Sequence, residues 1–336
     1  MTAELKPMSL SEILDRTFTL YRNNFWLFCG LMAMPEAAIA LISIVYLTLM
    51  GGQMGIAMQP NPQDPLAALA GLRAIVPGIL ITTILNAFFF SIALGAVTLA
   101  VSEIYLGRRG SIVEAYKGVA RRMPGIFGLI LLLLLLLFVF MFVGVVAGMV
   151  PAIAIAGVLG AIAGRTGAPG IAVTLLIGLL IIVFVFAGFV LGIWLMMRFA
   201  VSIPAFMLER LGVVDALGRS GLLTKGHRWR IFVSTLVMYV VVFGVRLLFE
   251  FPFIPFTMMH AREGILPLWL RMGTSVAGAV AGTVAGPLLM ITVALIYYDV
   301  RIRKEAFDLE AMMAALGSPG PQQGQVGAAP PFNPGG

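Results

Sequence analysis

The fold is decided by the stretch from Arg122 to Arg165, RMPGIFGLILLLLLLLFVFMFVGVVAGMVPAIAIAGVLGAIAGR. The 42 residues between these two arginines carry no charge. As one straight helix they would measure about 60 Å, roughly twice the hydrocarbon thickness of a bilayer, so the stretch must break or tilt. Pro151 and the Gly/Ala-rich residues after it favour a break. We therefore predict a membrane span over residues 126–150, followed by a short apolar segment lying at, or re-entering, the outer surface.

The rest of the chain has the same character. Of its 336 residues, 60% are hydrophobic and only 11% are charged, whereas about a quarter of a soluble domain is charged. Apolar runs of about 20 residues predict five further spans, over residues 25–49, 75–104, 171–197, 231–251 and 275–298. We predict an all-α polytopic integral membrane protein with six transmembrane helices.

The basic residues predict the orientation of these spans. The N-terminus, the 2–3 loop, the 4–5 loop and the C-terminus hold 17 of the 22 Lys and Arg residues, and the opposite side holds Arg73, Arg165, Arg262 and Arg271. Because cytoplasmic loops carry the excess of Lys and Arg, both termini are expected in the cytoplasm. Contact with anionic headgroups then accounts for the net charge of +7 without nucleic acid. The N-terminus lacks a signal-peptide pattern, so the first span is expected to be retained.

Three cytoplasmic segments have similar sequences. They begin at Ser9 (SLSEILDRTFTLYRNNFW), Ser111 (SIVEAYKGVARRMPGIF) and Gly212 (GVVDALGRSGLLTKGHRW). The fourth residue of each is acidic, and Ser with Glu three residues later is the pattern of a helix-capping box. In the first segment, apolar residues fall on one helical face and charged residues on the other, which predicts a helix lying in the membrane plane. We predict a helical membrane domain over residues 1–316, made of three parallel repeats (about 9–110, 111–211 and 212–316), each an interfacial amphipathic helix plus two spans. Residues 317–336 are predicted to be a disordered Pro/Gly-rich tail.

Three stretches resemble the membrane domain of bacterial glycerophosphoryl diester phosphodiesterases. They are LSEILDRTFTLYRNNFW (10–26), MRFAVSIPAFMLERLGVVDALGRSGLLTKGHRWRIF (197–232) and YYDVRIRKEAFDLE (297–310). In some members of that family a soluble phosphodiesterase domain is joined to the membrane region. Here the membrane region is expected to stand alone, so the resemblance implies a plasma-membrane protein and no hydrolytic activity.

Polar residues within the predicted spans are the candidate functional site, because a charge in hydrocarbon is usually tolerated only beside a partner or water. Glu36 follows Pro35 near the middle of the first span, and Asn86 is expected at a similar depth in the second. Arg246 and Glu250 are four residues apart and so share a helical face, which predicts an ion pair. For Glu36, a structural polar contact and a role in proton coupling or polar-ligand contact both remain open.

Two further sets of residues have predicted roles at the membrane. Gly278, Gly282 and Gly286 form a small-residue stripe in the sixth span, which predicts a helix-packing surface, preferentially inside the bundle. Asp299 is expected to pair with a nearby cation or to cap a neighbouring element. Basic and aromatic residues at the ends of the spans predict interfacial lipid contacts; they are Arg22, Trp26, Arg121, Arg122, Lys225, Arg228, Trp229, Arg301, Arg303 and Lys304.

The sequence offers little for catalysis or for a cofactor. Cys29 is the only cysteine, His227 and His260 are the only histidines, and no nucleotide, zinc-protease or serine-hydrolase motif occurs. No cofactor and no metal site are predicted.

Three functions remain compatible with the sequence. The preferred one is a non-enzymatic membrane scaffold or accessory protein whose cytoplasmic helices contact lipid and a partner protein or a second copy, which requires a bundle packed shut around Glu36. A small-molecule or lipid transporter would instead require a polar cavity lined by Glu36, Asn86 or Arg246. A headgroup-acting enzyme would require Glu103, Glu114, Glu209 or Asp215 to converge with His227.

Overall fold

The computed structural model describes residues 8–57, 65–166, 170–260 and 266–317, and it is helical throughout these ranges, without strands. The described helices are α1 Leu10–Asn23, α2 Phe25–Ala57, α3 Pro65–Tyr105, α4 Ile112–Ala120, α5 Met123–Thr166, α6 Gly170–Met196, α7 Ser202–Leu208, α8 Val213–Leu223, α9 Arg228–Glu250, α10 Ile254–His260 and α11 Leu268–Gly317. Short 3-10 turns at Met197–Phe199 and Phe251–Phe253 follow α6 and α9. The predicted tail beyond residue 317 lies outside the described residues.

Six helical segments are long and apolar enough to cross a membrane, which confirms the prediction of a helical, multi-pass chain. They are Phe25–Tyr46, Val76–Tyr105, Met123–Ile155, Ile182–Leu208, Arg228–His260 and Leu268–Glu305. Their apolar side chains are widely exposed on the molecule: Phe142 is 61% exposed, Ile182 66% and Leu248 73%. A monomeric soluble protein rarely exposes so much contiguous apolar surface, whereas lipid covers it at no cost.

The break predicted at Pro151 is wrong. Helix α5 continues through this residue as far as Thr166, which makes it about 66 Å long at 1.5 Å per residue. A proline removes one backbone hydrogen bond, and long apolar helices tolerate this loss when neighbouring groups or local adjustments compensate. The predicted short outer segment is therefore the continuation of α5.

The long helices pack as neighbours in sequence, with α2 against α3, α5 against α6, and α9 against α11. Helix α11 also packs along α2 and contacts α3. The closest backbone approach among them joins α5 to α6, where an added Cβ on Gly144 would lie 2.6 Å from the carbonyl oxygen of Gly188. Gly148 similarly approaches the Phe184 carbonyl oxygen at 2.7 Å.

The helices α1, α4, α7 and α8 gather at one end of the bundle, which we call the short-helix end. Most of the buried hydrophobic core lies here, including Phe28, Ile126, Phe206 and Tyr297. Helix α7, which the sequence analysis did not predict, is buried along most of its length. Tight packing at this end contrasts with the exposed apolar surface elsewhere.

Helices α1, α4 and α8 begin directly after Ser9, Ser111 and Gly212, as the sequence predicted. Ser9 and Glu12 form the full capping box. Hydrogen bonds from the Ser9 backbone and hydroxyl lower the pKa of the Glu12 carboxyl. The Ser111 hydroxyl accepts from the Glu114 backbone N–H at 3.5 Å, whereas Gly212 provides no side-chain cap.

Candidate functional site

A polar cavity of about 280 Å³ lies between α2, α9 and α11, and we call it the polar chamber. Its lining residues are Glu36, Ile39, Ala40, Ser43, Arg246, Glu250, Thr274, Ser275, Gly278 and Ala279. Glu36 lies about 16 Å along α2 from Phe25, and Gly278 lies about 15 Å along α11 from Leu268. Because Arg246 and Glu250 lie in the last five residues of α9, the chamber extends from the middle of α2 toward the end of α9.

The glycine stripe on α11 makes room for the charged side chains of the chamber. A Cβ added to Gly282 would lie 2.6 Å from the carboxylate carbon of Glu36. A Cβ on Gly278 would lie 3.3 Å from Oε1 of Glu250 and 3.5 Å from Nη2 of Arg246. The stripe thus accommodates side chains from α2 and α9 rather than the backbone of another helix.

Arg246 and Glu250 form the ion pair that their spacing predicted. The Nε atom of Arg246 donates to Oε1 of Glu250 at 2.8 Å, one turn apart on α9. Their side chains are 59% and 30% exposed, so the pair borders the chamber without being packed in the interior. This pair neutralises itself locally.

Glu36 provides the charge that remains in the chamber. Among the residues that the structure describes, its carboxylate forms no hydrogen bond or salt bridge, and the neighbouring charge that acts on it is Arg246. With both carboxylates ionised, the chamber has a formal charge of −1. Hydroxyls of Ser43, Thr274 and Ser275 line the same space. This arrangement can hold a small cation, or a solute that donates hydrogen bonds.

The transporter hypothesis allowed Asn86 to line the polar cavity, but the structure does not bring this residue into the chamber. The residues that line the chamber come from α2, α9 and α11, whereas Asn86 is in α3. Its Oδ1 atom is buried without a hydrogen-bond partner among the described residues. Similar depth along two spans does not place two side chains on facing surfaces, which is why the sequence could not decide this point.

A buried ionic cluster closes the short-helix end of the bundle. Asp299 on α11 is 1% exposed and lies 3.1 Å from Nε of Arg303 and 3.3 Å from Nη2 of Arg230 on α9. Its Oδ1 also accepts a hydrogen bond of 2.8 Å from the backbone N–H of Met8. Both arginines donate to the carbonyl oxygen of Met8. Asp299 therefore pairs with cations, as predicted, and fixes the start of the chain against two long helices.

A second polar network lies beside this cluster. Glu209 accepts from Nε of Arg219 at 2.8 Å and from the hydroxyl of Tyr297 at 2.8 Å. Arg219 also reaches Glu305 at 2.6 Å, and Glu305 pairs with Arg301. The network joins the α7–α8 connection to α11. No sequence motif predicted this network, because its residues on α11 are about 90 residues along the chain from their partners Glu209 and Arg219.

The predicted interfacial residues have two kinds of environment. Trp26 and Trp229 are 83% and 69% exposed, as lipid-contacting rings would be. Arg22, Arg121 and Lys225 are also exposed. Lipid contact stays a prediction for these five side chains.

The remaining interfacial residues are half-buried, and most of them contact protein groups. Arg122 donates to the carbonyl oxygens of Phe206 and Leu211, and Arg228 lies 5.5 Å from the ring of Trp194. Arg301 and Arg303 are in the ionic networks, and Lys304 lies on the same turn of α11. These contacts give four of the arginines a role in protein packing that the sequence did not predict.

The carboxylates of the enzyme hypothesis lie apart from His227. Glu103 and Glu114 line one shallow cavity between α3 and α4, and Glu209 is engaged by Arg219. The charged groups that act on the imidazole of His227 are instead Arg303, Asp299, Arg230 and Lys304. In the described part of the chain, no group of three metal-ligating side chains is close enough to hold an ion.

No protein family, curated protein or solved structure matches this chain. The resemblance to the phosphodiesterase membrane domain therefore stays a prediction based on the three stretches quoted above.

Proposed function

We propose that the chain is a multi-pass protein of the bacterial cytoplasmic membrane, built from three repeats and with both termini in the cytoplasm. The short-helix end is then the cytoplasmic face. Three of its helices support this proposal, because positions one to eight after Ser9, Ser111 and Gly212 have the same burial sequence. In each helix the fourth and eighth of these positions are buried: Ile13 and Thr17, Ala115 and Val119, Ala216 and Ser220.

The packing of the short helices also supports the repeat. Helix α4 packs on α3, the last span of the preceding unit, and α8 packs on α7, which follows the last span of its preceding unit. Helix α1 packs on α11, the last span of the third unit. Helices α4 and α1 thus each pack on the last span of another unit, whereas α8 packs on the short helix that follows such a span. The first two contacts are those expected of parallel repeats around an axis along the membrane normal. The exposed faces of these helices are placed to contact anionic headgroups.

The function that this geometry supports best is transport of a small molecule or lipid that carries a polar group. The observation that carries it is the polar chamber, because a scaffold has no need of an open, charged cavity within its membrane domain. An intramembrane ionisable residue beside a cavity is the usual mark of a substrate or ion pathway. Since Glu36 supplies the excess negative charge, the solute is expected to be a cation, and protonation of the same carboxylate should inhibit its transport.

The test is electrogenic transport by the purified protein in liposomes on a solid-supported membrane. Jumps in choline or tetramethylammonium concentration should give saturable currents, and jumps in glutamate should give none. Glu36→Gln should lower the cation currents at least tenfold and remove their dependence on pH. Glu103→Gln is the matched control, because it makes the same chemical change at an exposed pair with Arg108 outside the chamber.

Two outcomes would contradict the proposal. Absence of saturable current with every cation would favour the scaffold hypothesis over transport. Equal currents in Glu36→Gln and the unaltered protein would mean that transport does not depend on the chamber.

A further inference from the structure

An apolar groove of about 440 Å³ runs along the outside of the α2–α11 pair. Its lining residues are Ala33, Ala37, Ala40, Leu41, Ile44, Val276, Ala279, Val280, Thr283 and Val284. All are apolar except Thr283. Several of the flanking side chains are well exposed, including Leu41 at 62% and Val276 at 52%, so the groove is open toward the surface that lipid covers.

The groove and the polar chamber meet at Ala40 on α2 and Ala279 on α11, which line both spaces. Two methyl groups therefore stand where the apolar space adjoins the charged one. A second apolar groove, between α2 and α3, has a similar volume of about 370 Å³, but none of its lining residues belongs to the chamber. The two lining residues that it shares with a charged cavity distinguish the α2–α11 groove from its neighbour.

We propose that the chamber and this groove together bind a cationic amphiphile, with its headgroup beside Glu36 and its hydrocarbon chain in the groove. The inference rests on the proposed function and names the substrate class of the same site. A bound ammonium group offsets the unpaired carboxylate charge of the chamber, since Arg246 is already paired with Glu250. The hydrocarbon chain of the ligand enters the groove laterally from the bilayer, so only the charged headgroup has to leave water.

The affinity of the site for its ligand should depend on both parts. Burying a methylene group from water is worth about a fourfold gain in affinity. A detergent micelle also buries the hydrocarbon chain of the ligand, so the affinity for one ligand alone is not informative. The informative quantity is the chain advantage, defined as the affinity for dodecyltrimethylammonium divided by that for tetramethylammonium. Only a chain seated on the protein makes this ratio sensitive to a substitution in the groove.

The experiment is native mass spectrometry of the full chain released from neutral maltoside micelles, titrated with dodecyltrimethylammonium, tetramethylammonium and dodecyl sulfate. In the unaltered protein we expect one bound dodecyltrimethylammonium, and at least tenfold weaker binding of the other two probes. Glu36→Gln should weaken both cations at least tenfold. Ala37→Leu, which adds bulk to the groove at a residue that does not line the chamber, should reduce the chain advantage at least fivefold while tetramethylammonium binding changes less than twofold.

The matched control is Thr82→Leu, which adds the same kind of bulk to the α2–α3 groove and should leave all affinities unchanged. Val280→Phe fills the groove from the other helix and should repeat the effect of Ala37→Leu, so a folding defect in one variant does not end the test. An unchanged chain advantage in both groove variants would overturn the amphiphile, whereas the proposed function would survive through Glu36-dependent binding of tetramethylammonium. If the affinity for tetramethylammonium were also unchanged in Glu36→Gln, the proposed function itself would fail. Equal binding of dodecyl sulfate would overturn the headgroup charge.

Discussion

Two carboxylates inside this protein have opposite environments. Asp299 is almost fully buried, but two arginines and one backbone N–H compensate its charge. Glu36 faces a cavity, and the charged group that acts on it among the described residues is Arg246, which is itself paired with Glu250. A compensated buried charge usually serves structure, whereas an uncompensated one beside a cavity is available to a ligand. The two residues therefore carry different predictions.

Replacing Asp299 with alanine should destabilise the protein by about 3 kcal/mol, because it leaves Arg230 and Arg303 partly buried without their counter-charge. Unfolding by SDS in mixed micelles would measure the change. Glu305→Ala is the matched control, since its carboxylate is 44% exposed and pairs with arginines near the surface. It should cost less than about 1 kcal/mol. Equal losses in the two variants would mean that Asp299 does not hold this end of the bundle together.

His227 should make the stability sensitive to mild acid. Its burial, together with the positive charge of Arg303, lowers its pKa below the usual 6.5. As the pH falls below about 6.5, the unfolded chain takes up this proton more readily than the folded one, so stability decreases with decreasing pH. Thermal unfolding between pH 7.5 and 5.5 should show a smaller decrease in His227→Gln than in the unaltered protein. His260→Gln, the other histidine variant, should keep the original dependence.

At the scale of elements, helix identity was easier to predict than helix length. The apolar run after Arg122 gave a helix, but Pro151 did not end it, and α5 reaches Thr166. The partner of this long helix is α6, and the two meet through small residues. Gly144 and Gly188 are both buried where the backbones cross. The glycine stripe of α11 also lies against neighbouring helices, but it meets side chains of α2 and α9, whereas Gly144 meets the backbone of α6. Small residues alone did not distinguish these two kinds of contact.

Gly144→Ala should force α5 and α6 apart. Its Cβ would lie 2.6 Å from a carbonyl oxygen and 3.0 Å from the Cα atom of Gly188, and backbone atoms cannot rotate away as a side chain can. We expect a loss of about 1–3 kcal/mol, measured as a lower thermal unfolding temperature in micelles. Gly157→Ala is the control on the same helix, because nothing lies within 4 Å of its Cβ position. A loss no larger than in that control would argue against the close crossing.

At the scale of the whole molecule, the chain combines a tightly packed end with a lipid-exposed remainder. The ionic clusters around Asp299 and Glu209 join α1, α7, α8, α9 and α11 at the short-helix end. The polar chamber lies deeper in the bundle, about 27 Å along α9 at Arg246. Under the proposed topology, a packed cytoplasmic end with a polar cavity beyond it is the arrangement expected of a transporter that faces the outside.

The proposed topology can be tested with reporter fusions. Lys and Arg are concentrated in the N-terminus, the 2–3 loop, the 4–5 loop and the C-terminus, which predicts that both termini are cytoplasmic. Green fluorescent protein joined to either terminus should therefore fluoresce, and alkaline phosphatase there should be inactive. Alkaline phosphatase joined after residue 263 should be active, since this loop is predicted on the opposite side. Active phosphatase at the C-terminus would mean that the orientation is the reverse of the proposed one, with the short helices on the outer side of the membrane.

The sequence by itself determined the helical, multi-pass class, the starting residues of α1, α4 and α8, and the Arg246–Glu250 pair. These features depend on hydropathy, capping and i,i+4 spacing, which are local along the chain. Only the tertiary structure decided that Glu36, Arg246 and Gly278 enclose one chamber, that Asn86 does not belong to it, and that Asp299 is joined to Met8. Such contacts depend on which helix faces pack together, and lipid gives all outward faces a similar apolar character, so hydropathy cannot reveal the partners.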